Sequence, residues 1–382
     1  MNETMAHEAR GSLNILHILR APVGGLFRHV IDLARGQAAR GHRVGVIADS
    51  SSGGTQAEAA LADLSKTLAL GLSRVPMSRQ LGTSDLTAVA HVGERAIDTA
   101  ADVIHGHGAK GGAYARLARN ARAIRVYTPH GGSLHFRWST PAGFFYLLAE
   151  RMLMRRTDLF LFESAFGRDA FHSKVGEPAT LTRVVHNGVN RAEFEPVVRK
   201  PEATDLVFIG ELRMLKGVDV LLDALALLAR EGTRVSLTVV GDGPDRAAFE
   251  QHAAKQGVGE AVRFVGSMPA RSAFALGRVL VVPSRAESLP YVVLEALAAG
   301  IPMLATNVGG IPEIFGAESG ELVPPGDAHA LARAIGKALR DNDSPRAVAL
   351  RLQQRVREGF SADAMTDAVL AAYRDALARR DG

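Results

Sequence analysis

Two carboxylates and a helix end form the strongest chemical grouping in the chain. In the run Pro283 to Gly300, Glu287 stands on a loop and Glu295 inside the helical pattern that follows, with seven residues between them. Pro290 suits the first position of that helix and Gly300 its C-terminal cap. The turn Leu289-Pro290-Tyr291, with Val292, therefore sits at a positive helix end able to hold a phosphate. Glu295, about one turn further in, can accept two hydrogen bonds from a ribose diol, while Glu287 faces the ligand from the loop. An acidic residue near a helix start also has a plain dipole explanation, which covers Glu295 but not the whole string.

Other groups are weaker. Gly24 and Gly25 follow an apolar run and open a helical pattern, so backbone there can approach a ligand closely or simply turn. Gly241 and Gly243, in Val239 to Pro244, begin like a dinucleotide fingerprint, but Arg246 stands where the third glycine belongs, which argues against NAD. His105-Gly106-His107 has ligand-like spacing, but no neighbouring carboxylate pair completes a site, so no metal is expected. Lys110 lacks the Ser or Thr that follows a P-loop lysine, which removes nucleotide hydrolysis. Asp341-Asn342-Asp343 follows no strand and reads as a solvated turn.

The elements that must position these groups alternate between apolar runs and helical patterns. The runs are 13–19, 44–48, 102–105, 124–127, 159–162 and 181–186, then 205–209, 235–240, 262–265, 279–282 and 302–306. This is α/β organisation in two doubly wound parallel sheets, with ligands expected at the carboxyl ends of the strands. The Pro-containing stretch 190–204 reads as a linker. The expected domains are 1–195 and 204–345, with a final helix, about 360–382, crossing back onto the first.

Composition narrows the classes. The 382 residues contain no cysteine, which excludes disulfides, thiolate nucleophiles and thiolate-bound zinc. No apolar run approaches the ~20 residues of a membrane span, and the first ten residues make a poor signal peptide, so a cytoplasmic location is expected. The net charge of +5 suits anionic partners such as diphosphates or anionic lipid. No dense basic tract with interleaved aromatics invites nucleic acid. The stretch from His135 to Arg156 gathers the only Trp with several Phe and Arg, a grouping that fits either a lipid interface or a buried amphipathic helix.

From Gly24 to about Pro325 the chain resembles the retaining, GT-B-fold glycosyltransferases of family four. Glu287 and Glu295 carry the family's spaced glutamate pair, and Phe208 to Asp219 resembles the segment after the first strand of its second domain. The resemblance implies two Rossmann-like domains facing a central cleft, the first on the acceptor side and the second binding a nucleotide-sugar. It also implies that Glu287 and His130 lie by the transferred sugar, with Glu287 positioning rather than attacking. Arg213 and Lys216 would clamp the donor diphosphate, a task suited to a forked guanidinium and a mobile ammonium, with Gly24 and Gly25 beside it. Glu295 would grip the ribose, and Gly241 and Gly243 would lie near the base.

The expected activity is transfer of a hexose-type sugar, from a UDP-sugar by preference, to a saccharide or polyprenyl-linked acceptor in surface-polysaccharide synthesis. Retention and independence from any metal cofactor are implied by the same likeness, while peripheral contact with the inner face of the membrane belongs to the lipid-interface reading of the stretch from His135 to Arg156. A sugar-nucleotide epimerase of the same fold and a non-catalytic nucleotide-sugar binder remain as alternatives.

Overall fold

The computed structural model describes residues 11–80, 82–119, 122–132, 136–341 and 343–381. His135 and Asn342 lie outside this set. The chain forms two compact units. One runs through Asn187 and includes the helix Ala362–Asp381; the other is Gly188–Ser361.

The first unit holds seven strands: β1 (Asn14–Leu19), β2 (Arg43–Asp49), β3 (Gly71–Val75), β4 (Val103–His107), β5 (Ile124–Thr128), β6 (Leu159–Phe162) and β7 (Leu181–Val184). All pairings are parallel, in the order β3-β2-β1-β4-β5-β6-β7. Helices cover both faces, so β1, β4 and β6 are buried along nearly their whole length, including the histidines that interrupt the apolar residues of β1 and β4. β3 was not among the sequence-predicted strands. It is a half-buried edge strand of sequence GLSRV, too short and too polar to announce itself.

The second unit holds β8 (Thr204–Ile209), β9 (Leu237–Val240), β10 (Val262–Phe264), β11 (Gly277–Val282) and β12 (Met303–Ala305), parallel in the order β10-β9-β8-β11-β12. One core, around Leu221, Leu225, Leu237 and Ile335, covers one face of the sheet. A second, around Leu280, Val293, Leu297 and Val356, covers the other. Each such fully buried aliphatic side chain contributes about 1.5–3 kcal/mol.

Two boundaries differ from the sequence expectation. The division falls at Asn187/Gly188 rather than within 190–204, because that stretch is tied to the second unit. Val189 N–H donates to Phe360 O at 2.8 Å, the Arg357 guanidinium lies 4.9 Å over Phe194, and Arg271 donates to Glu195 O at 2.7 Å. The second unit also continues past 345, since the helix Asp343–Gly359 places Leu352 and Val356 in its core. The last helix belongs to the first unit: Val369, Leu370 and Tyr373 are buried beside Ile15, Val103 and Val126.

Candidate functional site

In the second unit the loop after β11 carries Glu287, and the turn after β8 carries Lys216. The two meet: Lys216 Nζ lies 2.7 and 2.9 Å from the two carboxylate oxygens of Glu287. Ser284 Oγ donates to the same carboxylate at 2.7 Å, and Thr306 Oγ1 donates to Ser284 O at 2.7 Å, which holds the loop against the end of β12. The Glu287 side chain is only 9% exposed and that of Lys216 is 27% exposed, so this is a partly desolvated pair rather than a surface one.

Backbone geometry makes the approach possible. Gly217 has φ +70 and caps the helix Val218–Arg230, and a Cβ there would fall 2.0 Å from Pro283 O. Gly309 has φ +60, and a Cβ there would fall 1.9 Å from Glu287 O. Both positions need the left-handed region and contact without a side chain, which only glycine supplies. Gly310 N–H donates to Ser288 O at 2.6 Å and fastens the other side of the loop.

Arg285, which sequence reading passed over, braces the cationic turn. Its guanidinium grips both Asp219 oxygens at 2.7 and 2.6 Å and donates to Met214 O at 2.7 Å. The hydrogen bonds to Asp219 hold the Arg285 pKa above its ordinary value. Arg213 extends into solvent at the start of this turn, 3.9 Å from Glu211.

The helix Tyr291–Ala298 follows the loop. Pro290 is its N-cap, with φ −73 and ψ 124, not its first helical residue as expected, because its ψ is still extended. Gly300, at φ +66, lies one residue beyond the C-cap Ala299. The Leu289 and Tyr291 side chains are buried in the core, so that turn can meet a ligand only through backbone. Glu295 is half-buried on the second turn of the helix. Gly241, φ +142, and Gly243 lie where a Cβ would meet Gly210 O at 1.9 Å and Leu212 O at 2.5 Å, so the loop after β9 lies tight on the loop after β8.

In the first unit Gly24, φ +65, begins the helix Gly24–Ala39 with open space where a Cβ would be, and Gly25 is next on that helix. His130 follows β5 with φ +51, unusual for any residue but glycine, and its ring meets His107 Nδ1 at 3.1 Å and Glu163 Oε1 at 3.6 Å. Burial pushes His130 down to about 3.

Sequence reading missed what surrounds it. His17 on β1, His29 on the helix Gly24–Ala39, and His105 and His107 on β4 join His130 in one buried cluster. His17 Nδ1 lies 3.0 Å from His107 Nε2, and the His105 and His107 rings lie 3.9 Å apart between centroids, tilted by 37°. The pairing of His17 with His105 across β1 and β4, and the two-residue spacing of His105 and His107, were the available signal. The want of a carboxylate pair was the ground for expecting no metal at His105 and His107; the structure places further imidazoles from other elements beside them.

Lys110 is structural, with Nζ 2.6 Å from Asp85 Oδ1 and 2.6 Å from Ser78 O. Asp341 closes the helix Ala328–Arg340, and Asp343 opens the next helix. Among the described residues no helix is long and apolar enough to cross a membrane. The helix Pro141–Leu153 buries Leu147 and Glu150 but exposes Phe144, Phe145, Leu148 and Met152, with Arg151 and then Arg155 and Arg156 also exposed.

Two parallel, doubly wound sheets, one in each unit, with Lys216 and Glu287 on strand-end loops of the second, have the architecture of the GT-B class of α/β proteins. Residues 190–355 match the family model described as glycosyl transferases group 1, and residues 23–193 match the one described as Glycosyltransferase Family 4. The D-inositol 3-phosphate glycosyltransferase of Saccharomonospora viridis is 31% identical over 306 residues, 72% of this chain and 70% of that protein. A glycogen synthase of Mycobacterium tuberculosis is 28% identical over 377 residues, 92% of this chain and 91% of that one. The crystal structure of HepE from Anabaena in complex with UDP-glucose superposes with a TM-score of 0.77 at 20% identity, covering 95% of this chain and all of that one. The chain belongs to the group 1 glycosyltransferases, and it is a glycosyltransferase enzyme.

Proposed function

We propose that this enzyme moves a hexose-type sugar, with retention at the anomeric carbon, from a UDP-sugar to a saccharide or lipid-linked saccharide acceptor in surface-polysaccharide synthesis. The observation that carries the donor half is the Lys216–Glu287 pair at 2.7 Å, on a loop that ends at a helix N-terminus. A cation beside a fixed carboxylate, next to backbone suited to anions, matches what a sugar diphosphate presents: two phosphates and a polar pyranose.

In this reading Arg213 and Lys216 stabilise the diphosphate as charge builds on it, and the backbone from Leu289 through Pro290 to Tyr291 adds the positive end of a helix. Glu287 and His130 orient the sugar, Glu295 holds the ribose, and the Gly241–Gly243 loop lies by the base. The bond between the anomeric carbon and the diphosphate oxygen breaks, the acceptor oxygen bonds to that carbon on the same face, and the acceptor proton passes to a leaving phosphate oxygen. No metal is needed, because the two cations and the helix end neutralise the leaving group. The preference for UDP is supported by the fold-level likeness to a protein crystallised with UDP-glucose.

The exposed Phe144, Phe145, Leu148 and Met152 beside Arg151, Arg155 and Arg156 support a lipid-linked acceptor, since aromatics flanked by cations settle at an anionic lipid surface. The test is a thermal-shift panel of UDP-, GDP-, ADP- and TDP-sugars in chelator, followed by transfer assays with the stabilising donor. A shift by UDP-sugars alone, with product of retained configuration, is expected. A shift by none of the four series refutes the donor site, and donor consumption without an acceptor points to the epimerase reading instead.

A further inference from the structure

We propose that His29, His107 and His130 form a three-imidazole site for a divalent transition-metal ion in the first unit. One ring nitrogen from each lies within 4.8 Å of those of the other two. The case rests on where the outer hydrogen bonds place the ring protons.

His29 Nδ1 lies 3.0 Å from Asn187 Oδ1, an acceptor, so His29 carries its proton on Nδ1 and its lone pair on Nε2. His17 Nε2 lies 2.8 Å from Gln37 Oε1, so His17 is protonated on Nε2 and its Nδ1 accepts. That nitrogen lies 3.0 Å from His107 Nε2, which must therefore donate, and His107 is left with its lone pair on Nδ1. His130 turns Nδ1 towards the Glu163 carboxylate at 3.6 Å, which draws the proton to that nitrogen and leaves the lone pair on Nε2.

The result is two lone pairs, on His107 Nδ1 and His130 Nε2, facing each other across 3.1 Å, with a third from His29 beside them. Two acceptors at that distance repel unless a cation lies between them. His29 and His107 each have an acceptor behind them at 3.0 Å, and His130 has a carboxylate at 3.6 Å, which resembles the outer-shell arrangement of metal-bound histidines. A tetrahedral ion with bonds of ~2.0–2.1 Å separates its ligand atoms by roughly 3.4 Å, so the His107–His130 spacing needs to open only slightly.

Among the described residues, the charged or titratable groups facing the cluster are His17, His105, Glu163 and Tyr373. The other grouping, His17 with His105 and His107, is the weaker site. Both His105 nitrogens are held by hydroxyls, Tyr373 at 2.7 Å and Thr128 at 2.8 Å.

Imidazole ligands select Zn²⁺, Co²⁺, Ni²⁺ or Cu²⁺ over Mg²⁺ and Ca²⁺, and three of them leave a fourth position open. An ion on His130 Nε2 would leave the orienting of the sugar to Glu287, because the other ring nitrogen faces Glu163. This inference does not rest on the donor reading, and its test needs no sugar.

The experiment uses untagged, chelator-stripped protein titrated with Co²⁺ and followed by visible absorption, with Zn²⁺ content measured by elemental analysis after dialysis. One ion per chain, with the intense bands of tetrahedral Co²⁺, is expected. His29→Asn should abolish binding, Asn187→Ala should weaken it by ~10–100-fold, and His105→Asn should leave it in place. Absence of the tetrahedral bands in the wild-type protein overturns the proposal, whatever the variants do. Binding that survives His29→Asn but is lost in His105→Asn overturns it as well, by moving the ion to the other grouping.

Discussion

Lys216 and Glu287 form a two-pronged ion pair, with Nζ 2.7 and 2.9 Å from the two carboxylate oxygens, across 71 residues of chain. Each holds the other in place where two strand-end loops meet. Glu287→Gln keeps the volume and the Ser284 hydrogen bond but removes the charge that orients the ammonium. Lys216→Met removes the ammonium itself. Each is expected to lower kcat by on the order of 10²-fold, the usual cost of one preorganised group that acts on developing charge. Unfolding stability should fall by about 1–3 kcal/mol in Glu287→Gln, since the partly desolvated ammonium of Lys216 loses its counter-charge. Turnover numbers set beside urea unfolding curves check both halves, and full activity in either variant would remove the pair from the transfer step.

Arg285 touches none of the atoms expected at the donor, yet it ties the turn that presents Lys216 to Asp219 and Met214. It is a positioning residue, and Arg285→Ala should raise the donor KM several-fold while leaving kcat nearly unchanged. Arg285 is about a third exposed, so its loss should cost under ~1 kcal/mol of stability. Asp219→Asn, which keeps the shape but weakens the grip, should show the same KM effect in milder form. A fall in kcat with KM unmoved would show that Arg285 acts otherwise.

Much of this architecture was legible because parallel strands buried on both faces are written as continuous apolar runs, as in Leu159 to Phe162 and Val279 to Val282. The donor-side loop was legible too, since Glu287, Pro290, Glu295 and Gly300 punctuate a single local segment. β3 was not, because an edge strand needs little apolar character. The Lys216–Glu287 contact, the Arg285 brace and the histidine cluster were hidden for a different reason. Each joins residues far apart in sequence, and only the strand order β1-β4-β5 brings His17, His107 and His130 to one place.

Gly309 and Gly232 make a matched pair of left-handed glycines, with φ of +60 and +83. A Cβ at Gly232 meets nothing within 4 Å, whereas one at Gly309 would fall 1.9 Å from Glu287 O. Gly232→Ala should therefore carry only the conformational cost, ~1–2 kcal/mol, with normal turnover. Gly309→Ala should add displacement of the Glu287 loop, lowering stability further and cutting turnover as deeply as Glu287→Gln. Equal behaviour of the two variants in melting temperature and kcat would refute the view that Gly309 sets the position of Glu287.

The histidine cluster makes the stability of the first unit depend on pH in the metal-free protein. Burial is the largest cause for each residue and pushes His17 down to about 4 and His29 and His130 to about 3. His42 is lowered as well, by burial first and then by Arg374 and Arg40. In the unfolded chain these imidazoles titrate near 6.5. Below that pH the unfolded state binds protons that the folded state refuses, so the free energy of unfolding must fall as the pH drops. Each such histidine contributes a slope of up to about 1.4 kcal/mol per pH unit between its unfolded and folded values, and nothing further above the unfolded one. Stability should thus be level from about pH 8 to 7 and then decline steeply towards pH 4 to 5. His17→Gln should make the decline shallower if the variant folds, and urea unfolding in chelator, at intervals between pH 8 and 5, checks both. A flat profile across that range would mean that the cluster takes up protons in the folded state, and that its rings are not held neutral by burial.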